Sequence, residues 1–274
     1  MTDKYQKRTQ GFTLVELSIV IIIIGFLIAG IAAGQSLIKQ AALNSVISDF
    51  QMYQTAYTTF VGRYGEVPGD MKDGYAYWGA ACGTNDFGTD TSCNGNGNGM
   101  ITLYGDYYNE SLIAWKHLSL AGVITSLPGP VNPNVGYGIN NPTLGQDVPT
   151  SKITGAGYSV AAGNINSWAE STDTFWNDNS TNAVYIGKLE PTPFFLLDSG
   201  AISAIDAFNI DQKMDDGHAD SSGNLVGAAS GNVRTFEGGY NTQYSCLLSN
   251  NYAPPYYYNP NGQGTGCVTG MALN

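Results

Sequence analysis

A single carboxylate, Glu16, heads a run of 22 uncharged residues from Leu17 to Ile38 that contains IVIIIIGFLIAGIAA. An unpaired acid in hydrocarbon costs a few kcal/mol, so this residue calls for a cationic partner or for a place at the water interface. Four more acids, Asp211, Asp215, Asp216 and Asp220, fall within ten residues around Gly217. They repel one another unless water solvates them or a hard cation such as calcium bridges them, and a solvated helix end is the simpler reading. Asn94, Asn96, Asn98, Gly99 and Ile101 in NGNGNGMI follow the spacing of the first two-thirds of an EF-hand loop. Neutral amides hold a dication weakly, the nearby charge would come from Asp86, Asp90 or Asp106, and a plain Gly/Asn turn is again simpler. Cys82, Cys93, Cys246 and Cys267 include no C-x-x-C pair and have no neighbouring histidine, which argues against zinc. Of their three possible pairings, Cys82–Cys93 and Cys246–Cys267 close local Gly/Asn-rich loops and are favoured.

Composition narrows the function classes. The chain has 274 residues, 22 acidic against 11 basic, a net charge of −11 and a pI near 4.3. Such a surface repels phosphates, so nucleic acid is not expected as the primary partner. With 43% hydrophobic and 12% aromatic residues the chain can fill a core. The only histidines are His117 and His218, too few for most histidine metal or triad chemistry. There is no phosphate loop, no G-x-G-x-x-G opening a helix, no H-E-x-x-H and no G-x-S-x-G, so an enzyme is not expected. His117 reads as a packing residue of a helix, and His218 as a surface residue in an acidic turn. The tyrosines Tyr252, Tyr256, Tyr257 and Tyr258 in NYAPPYYYNP suit an adhesive patch, a head–head contact or a core strip.

The elements that must place these groups follow from charge and periodicity. Lys4, Lys7 and Arg8 against Asp3 make residues 1–11 basic, while the other 263 residues carry 8 basic and 21 acidic groups. As a helix, Leu17 to Ile38 spans about 33 Å, enough for a bilayer, with the basic leader held on the cytoplasmic side. A plain membrane anchor and a cleaved secretory signal, with Ala29–Gly34 as a loose small-residue site, both fit this pattern. A lipoprotein signal would need a cysteine there, and none is present.

The stretch Gly11-Phe12-Thr13-Leu14-Val15-Glu16-Leu17, behind a basic leader and before about twenty apolar residues, resembles the type IV prepilin signature shared by pilins and the pseudopilins of type II secretion. The resemblance implies cutting by prepilin peptidase between Gly11 and Phe12 and N-methylation of Phe12. It further implies an assembly role for Phe12 and Glu16, whose amine and carboxylate pair between staggered neighbours and set axial register. The implied partners are identical or related pilin subunits, the peptidase, an inner-membrane assembly platform and the membrane. The implied location is the inner membrane as a single-pass protein before assembly, and a periplasmic or cell-surface filament afterwards. One departure is Ala33, which stands where many pilins carry a helix-kinking proline. A Cys246–Cys267 bridge would resemble the C-terminal disulfide loop of many pilins. No cofactor is implied beyond a calcium ion, which some pseudopilins hold in the head.

Downstream, Leu43, Val46, Phe50, Tyr53, Tyr57, Phe60 and Tyr64 recur at alternating spacings of 3 and 4, one apolar stripe of a helix ended by Gly62, Gly65 and Pro68. The domains are therefore a leader at 1–11, an N-terminal helix at 12–64 with its transmembrane and assembly part at 12–38, and a head at 65–274. Within the head, Asn109–Ala121 and Ala201–Met214 read as helices, and 128–157 as an irregular excursion. Strands are expected at Gly157–Ala162, Ala183–Leu189, Phe194–Leu197 and Asn232–Phe236. The expected fold class is α+β, a long N-terminal helix packed on an antiparallel sheet in a pilin-like head.

Overall fold

The computed structural model describes residues 13–82, 93–102, 110–125, 127, 142–162, 181–189, 199–228, 230–237, 246–250, 253–262, 264 and 266–273. The leader, Gly11, Phe12, Asp86, Asp90, Asp106, Tyr252 and the strand expected at Phe194–Leu197 lie outside the described residues. The chain divides into two compact units, one ending at Ala42 and the other beginning at Leu43.

Helix α1 spans Leu14–Tyr64, 51 residues without interruption. Gly62 does not break it. Gly65 ends it, at φ +73 with its N–H donating to the Val61 carbonyl at 2.8 Å, because only a residue without Cβ takes that left-handed turn freely. From Leu43 onward the apolar stripe is the buried face: Leu43, Val46, Phe50, Tyr53, Ala56, Tyr57 and Phe60 are all in the core.

The rest of the second unit is built around that stripe. Among the described residues, helices α2 (Gly74–Trp78) and α3 (Glu110–Leu120) come before the first strand, α4 (Ala204–Met214) follows the second, and eight strands form two antiparallel sheets. The first sheet has the order β1 (Ala156–Ala162), β2 (Asn182–Lys188), β8 (Cys267–Ala272), β5 (Val233–Glu237). The second has the order β3 (His218–Ala219), β4 (Leu225–Val226), β7 (Ala253–Tyr258), β6 (Leu247–Asn250). Residues 201–203, expected as the first turn of α4, lie before it. Ile202 bridges to Cys267, and Ser203 caps the helix by accepting from the Asp206 N–H.

Polar contacts fix the first sheet on α1. Tyr158 of β1 donates to Asp49 at 2.7 Å, Asn182 of β2 donates to Tyr57 at 3.0 Å, and Gln54 donates to the Ala272 carbonyl at 3.4 Å. Edge contacts of Tyr158 with Phe50 and of Tyr53 with Trp115 fill the space between. Alternation along the strands then separates two clusters. Tyr158, Val160, Val184, Ile186, Val233 and Met271 join the main core, whereas Ala161, Ala183, Tyr185, Phe236, Val268 and Ala272 form a second one. The fold is thus α+β, with a long N-terminal helix and antiparallel sheets.

Two disulfides tie the irregular parts down. Cys246, just before β6, bonds Cys267 of β8 and so links the two sheets. Cys82 bonds Cys93 and closes the segment after α2. With sequence separations of 21 and 11, each bridge contributes about 3 kcal/mol in the chain-entropy model.

Candidate functional site

The assembly candidate is the start of α1. Thr13 precedes the helix, and four backbone N–H groups of the first turn have no intrahelical acceptor. Thr13 and Glu16 meet that need reciprocally. The Glu16 N–H donates to Thr13 Oγ1 at 3.2 Å, while the Thr13 N–H and Oγ1 both donate to Glu16 Oε2 at 2.8 Å. This is a capping box, and it was legible as T-x-x-E ahead of an apolar run. Thr13 is accordingly a residue that the sequence reading passed over. The carboxylate also sits at the positive end of the helix dipole, where an anion is favoured.

Beyond Glu16 the helix is apolar on every side. Leu14 is 85% exposed, Phe26 75% and Ile38 72%, and all the large apolar residues between them that are described at this end are open. An 18-residue window of α1 has a mean hydropathy of 2.8 with none of it buried, long and apolar enough to cross a membrane. A helix of this kind needs lipid or other helices around it.

The second candidate is the acidic group in the head. The C-terminus of α4 and the turn after it bring Asp211, Asp215 and Asp216 together, one carboxylate oxygen of each lying within 4.8 Å of the others. Asp220 is not brought to them. It serves its own turn between β3 and β4, accepting at Oδ1 from the Ser222 and Asn224 N–H groups and at Oδ2 from Asn224 Nδ2. Those bonds hold its carboxyl below the usual range. Asp211 is wholly buried, and its carboxyl is pushed up to about 7 by burial and by the charges of Asp216 and Asp215, which the Tyr258 hydroxyl only partly offsets.

The Asn-rich loop has a different centre from the one its spacing suggested. The Asn94, Asn96 and Asn98 side-chain carbonyls accept from the N–H groups of Tyr75, Asn98 and Met100. The carboxylate facing the loop is Asp70, which accepts from the Gly97, Asn98 and Gly99 N–H groups at 2.5, 3.3 and 2.6 Å. Glu110 takes the Asn96 and Thr102 N–H groups. The loop therefore reads as a Gly/Asn turn wound around acids from neighbouring elements.

His117 is fully buried on α3 and stacks on Phe60. Its Nδ1 accepts from the Gly69 N–H at 2.8 Å, so Nε2 carries the proton and donates to the Cys93 carbonyl at 2.7 Å. Histidine is thus a clamp between three segments. Tyr258, the end of the aromatic cluster, is buried in β7 and donates to Asp211, which makes it a core residue; Tyr257 is half-buried.

A family model described as the prokaryotic N-terminal methylation motif matches residues 6–32. No curated protein and no solved structure matches the chain. The matched segment holds Thr13, Glu16 and the first apolar turns of α1, where the geometry places the capped carboxylate at the head of an unburied apolar helix. The N-terminal segment is the prokaryotic N-terminal methylation motif, the signature of type IV pilin and pseudopilin precursors.

Proposed function

We propose that this chain is a structural subunit of a type IV pilus-like filament serving adhesion, motility or DNA uptake. It is trimmed by prepilin peptidase between Gly11 and Phe12, methylated on Phe12, and polymerised through α1. The observation that carries the reading is the single acid at the head of a helix whose apolar side chains are open all round. In a filament, outside the bilayer, the packing of those side chains keeps them from water, at about 25 cal/mol per Å² of apolar surface buried, and supplies the cohesion. The Glu16 carboxylate and the Phe12 amine of a neighbour supply the register. Before assembly the same helix anchors the chain in the inner membrane with the acidic head on the far side.

The head favours a pilus over a secretion pseudopilus. From residue 65 it runs to 274, a large body carrying two sheets and two disulfides. That is more than a compact major pseudopilin needs, and it suits a pilin or a tip-located minor subunit. The chain acts mechanically on this reading, and no residue is assigned a catalytic role.

Expressed with its own peptidase and assembly platform, the chain is expected in the sheared surface-filament fraction. Recovery only in the membrane fraction, with filaments lacking the chain, would favour a tethered module that never polymerises.

A further inference from the structure

We propose that residues 94–99 are a latent self-modification site that Asp70 holds closed: freed from Asp70, Asn96 and Asn98 deamidate to aspartate and isoaspartate. The sequence has four Asn-Gly pairs, at 94–95, 96–97, 98–99 and 261–262. Such pairs are chemically weak points of a chain, because glycine leaves its own nitrogen unshielded beside the asparagine amide. In the reaction the glycine nitrogen gives up its proton and bonds to the asparagine Cγ. The Cγ–Nδ2 bond breaks, and ammonia leaves with that proton. Water then opens the resulting succinimide at either carbonyl, giving aspartate or isoaspartate.

The structure ties down the atoms that must move. The Gly97 N–H donates to Asp70 Oδ1 at 2.5 Å, and the Gly99 N–H to Asp70 Oδ2 at 2.6 Å. One carboxylate thus holds both attacking nitrogens, and it is only 2% exposed. Its charge acts twice. It makes each bond stronger than one to a neutral carbonyl, and it opposes the negative charge that grows on the nitrogen as the proton leaves. A carboxylate is also far too weak a base to take an amide proton itself. At the other reacting centre, the Oδ1 atoms of Asn96 and Asn98 accept from the N–H two residues on, at 3.0 and 2.8 Å, which fixes each amide in a turn.

The loop cannot shed the weakness by changing residues. Gly97 and Gly99 have φ +74 and +84, where a side chain is strained, and a Cβ at Gly95 would collide with the backbone of Gly69 and Asp70. Acids do not suit positions 96 and 98 either. Beside Asp70 and Glu110, which accepts from the Asn96 N–H at 3.1 Å, further negative charges repel. Deamidation therefore undoes the loop. Each event adds such a charge, and isoaspartate also lengthens the main chain by a methylene, which carries the pinned nitrogens away from Asp70.

Two pairs serve as internal references. The Gly95 N–H donates to the Met71 carbonyl at 2.6 Å, so the first pair is held without Asp70. Asn261 is exposed, and the Gly262 N–H reaches only the neutral Asn259 carbonyl, at 3.1 Å. The full chain in detergent micelles, with its disulfides intact, is to be held at mildly alkaline pH and the four pairs followed by peptide mapping in a mass spectrometer. In the native chain Asn96 and Asn98 should react roughly ten- to hundredfold more slowly than Asn261, the effect of one hydrogen bond to a charged acceptor. Asp70→Asn, which keeps an oxygen in place but no charge, should speed Asn96 and Asn98 by about tenfold or more and leave Asn94 and Asn261 unchanged. The wild-type chain, reduced and unfolded in urea, should bring all four pairs close to one rate. Rates at Asn96 and Asn98 equal to that at Asn261 in the native wild-type chain would overturn the proposal, a comparison that requires no variant to fold. An Asp70→Asn chain with native circular dichroism and unaltered rates at Asn96 and Asn98 would overturn it as well.

Discussion

Glu16→Ala is expected to leave trimming at Gly11–Phe12 intact while reducing filament yield at least tenfold. On the proposed reading the cut falls between Gly11 and Phe12, a junction that the substitution leaves alone. Assembly is different. The carboxylate is the one charged side chain from Phe12 to Ile38, and without it the Phe12 amine of a neighbour has no partner to fix one axial stagger of two helices. The capping box complicates a simple reading, because alanine also removes the acceptor for the Thr13 N–H and Oγ1. Loss of a cap costs about 1 kcal/mol and frays the first turn. Two further variants separate these effects. Glu16→Gln keeps an oxygen for Thr13 but carries no charge, whereas Thr13→Ala weakens the cap and keeps the charge. Filament yield is expected to follow charge, low in Glu16→Gln and nearly normal in Thr13→Ala. Quantifying subunits in sheared filaments against the membrane pool measures this. Normal filaments from Glu16→Gln would remove the register role.

Acid is expected to destabilise the head through His117, by about 3 kcal/mol between pH 7.5 and pH 4. The ring is fully buried, with Nδ1 already accepting from Gly69, so a second proton would break that bond and place a charge in the core. Burial, aided by the charge of Lys116 and opposed by the Cys93 carbonyl, brings its pKa down to about 4, whereas an unfolded histidine titrates near 6.5. Between those values the unfolded chain binds a proton that the folded chain does not, so stability falls as pH falls. The contribution is complete above pH 6.5 and exhausted below pH 4. Asp211 works in the opposite sense. Its folded pKa of about 7 lies above the unfolded value near 3.8, so what it contributes at low pH is lost as pH rises through 7. The wild-type profile mixes the two, and the comparison with His117→Gln isolates the histidine. Urea unfolding of the full chain in micelles should show a wild-type advantage at pH 7.5 that shrinks by about 3 kcal/mol at pH 4. An advantage independent of pH would contradict the neutral clamp.

Some elements were written plainly in the residues, and others only in the tertiary arrangement. Helix α1 was legible from Leu14 to Tyr64 because an all-apolar run passes into a stripe with helical spacing, and the buried residues are those of the stripe with Ala56 added and Tyr64 only half-buried. Strands β1, β2 and β5 were legible within a residue or so at each end, since Val, Ile, Tyr and Phe alternate there or run together. Strand β8, CVTGMA, was not, although it lies between β2 and β5 in the first sheet. Apart from Val268 and Thr269 its residues have weak strand preference, and its place is set by partners on both sides and by the Cys267 bridge. Strand β7, APPYYY, was hidden for another reason. Two prolines argue against a strand, but the ladder with β6 has a register shift between Leu248 and Asn250, so Pro254 and Pro255 fall where regular pairing lapses.

The same distinction holds for the sites. Glu16 announced itself by being an acid beside an apolar run, whereas Thr13 required reading its spacing to Glu16 as a cap. The acids of the 211–220 cluster were visible as a group, yet only the fold separates the trio from Asp220, whose oxygens are taken by its own turn. Asp70 could not be found as the centre of the 94–102 loop, because it lies more than twenty residues away and carries no motif.

The most direct test of the central claim is the intact mass of the chain recovered from filaments. The expected polypeptide begins at Phe12 and carries one added methyl group. A chain that retains residues 1–11, or that begins within Ala29–Gly34, would contradict it.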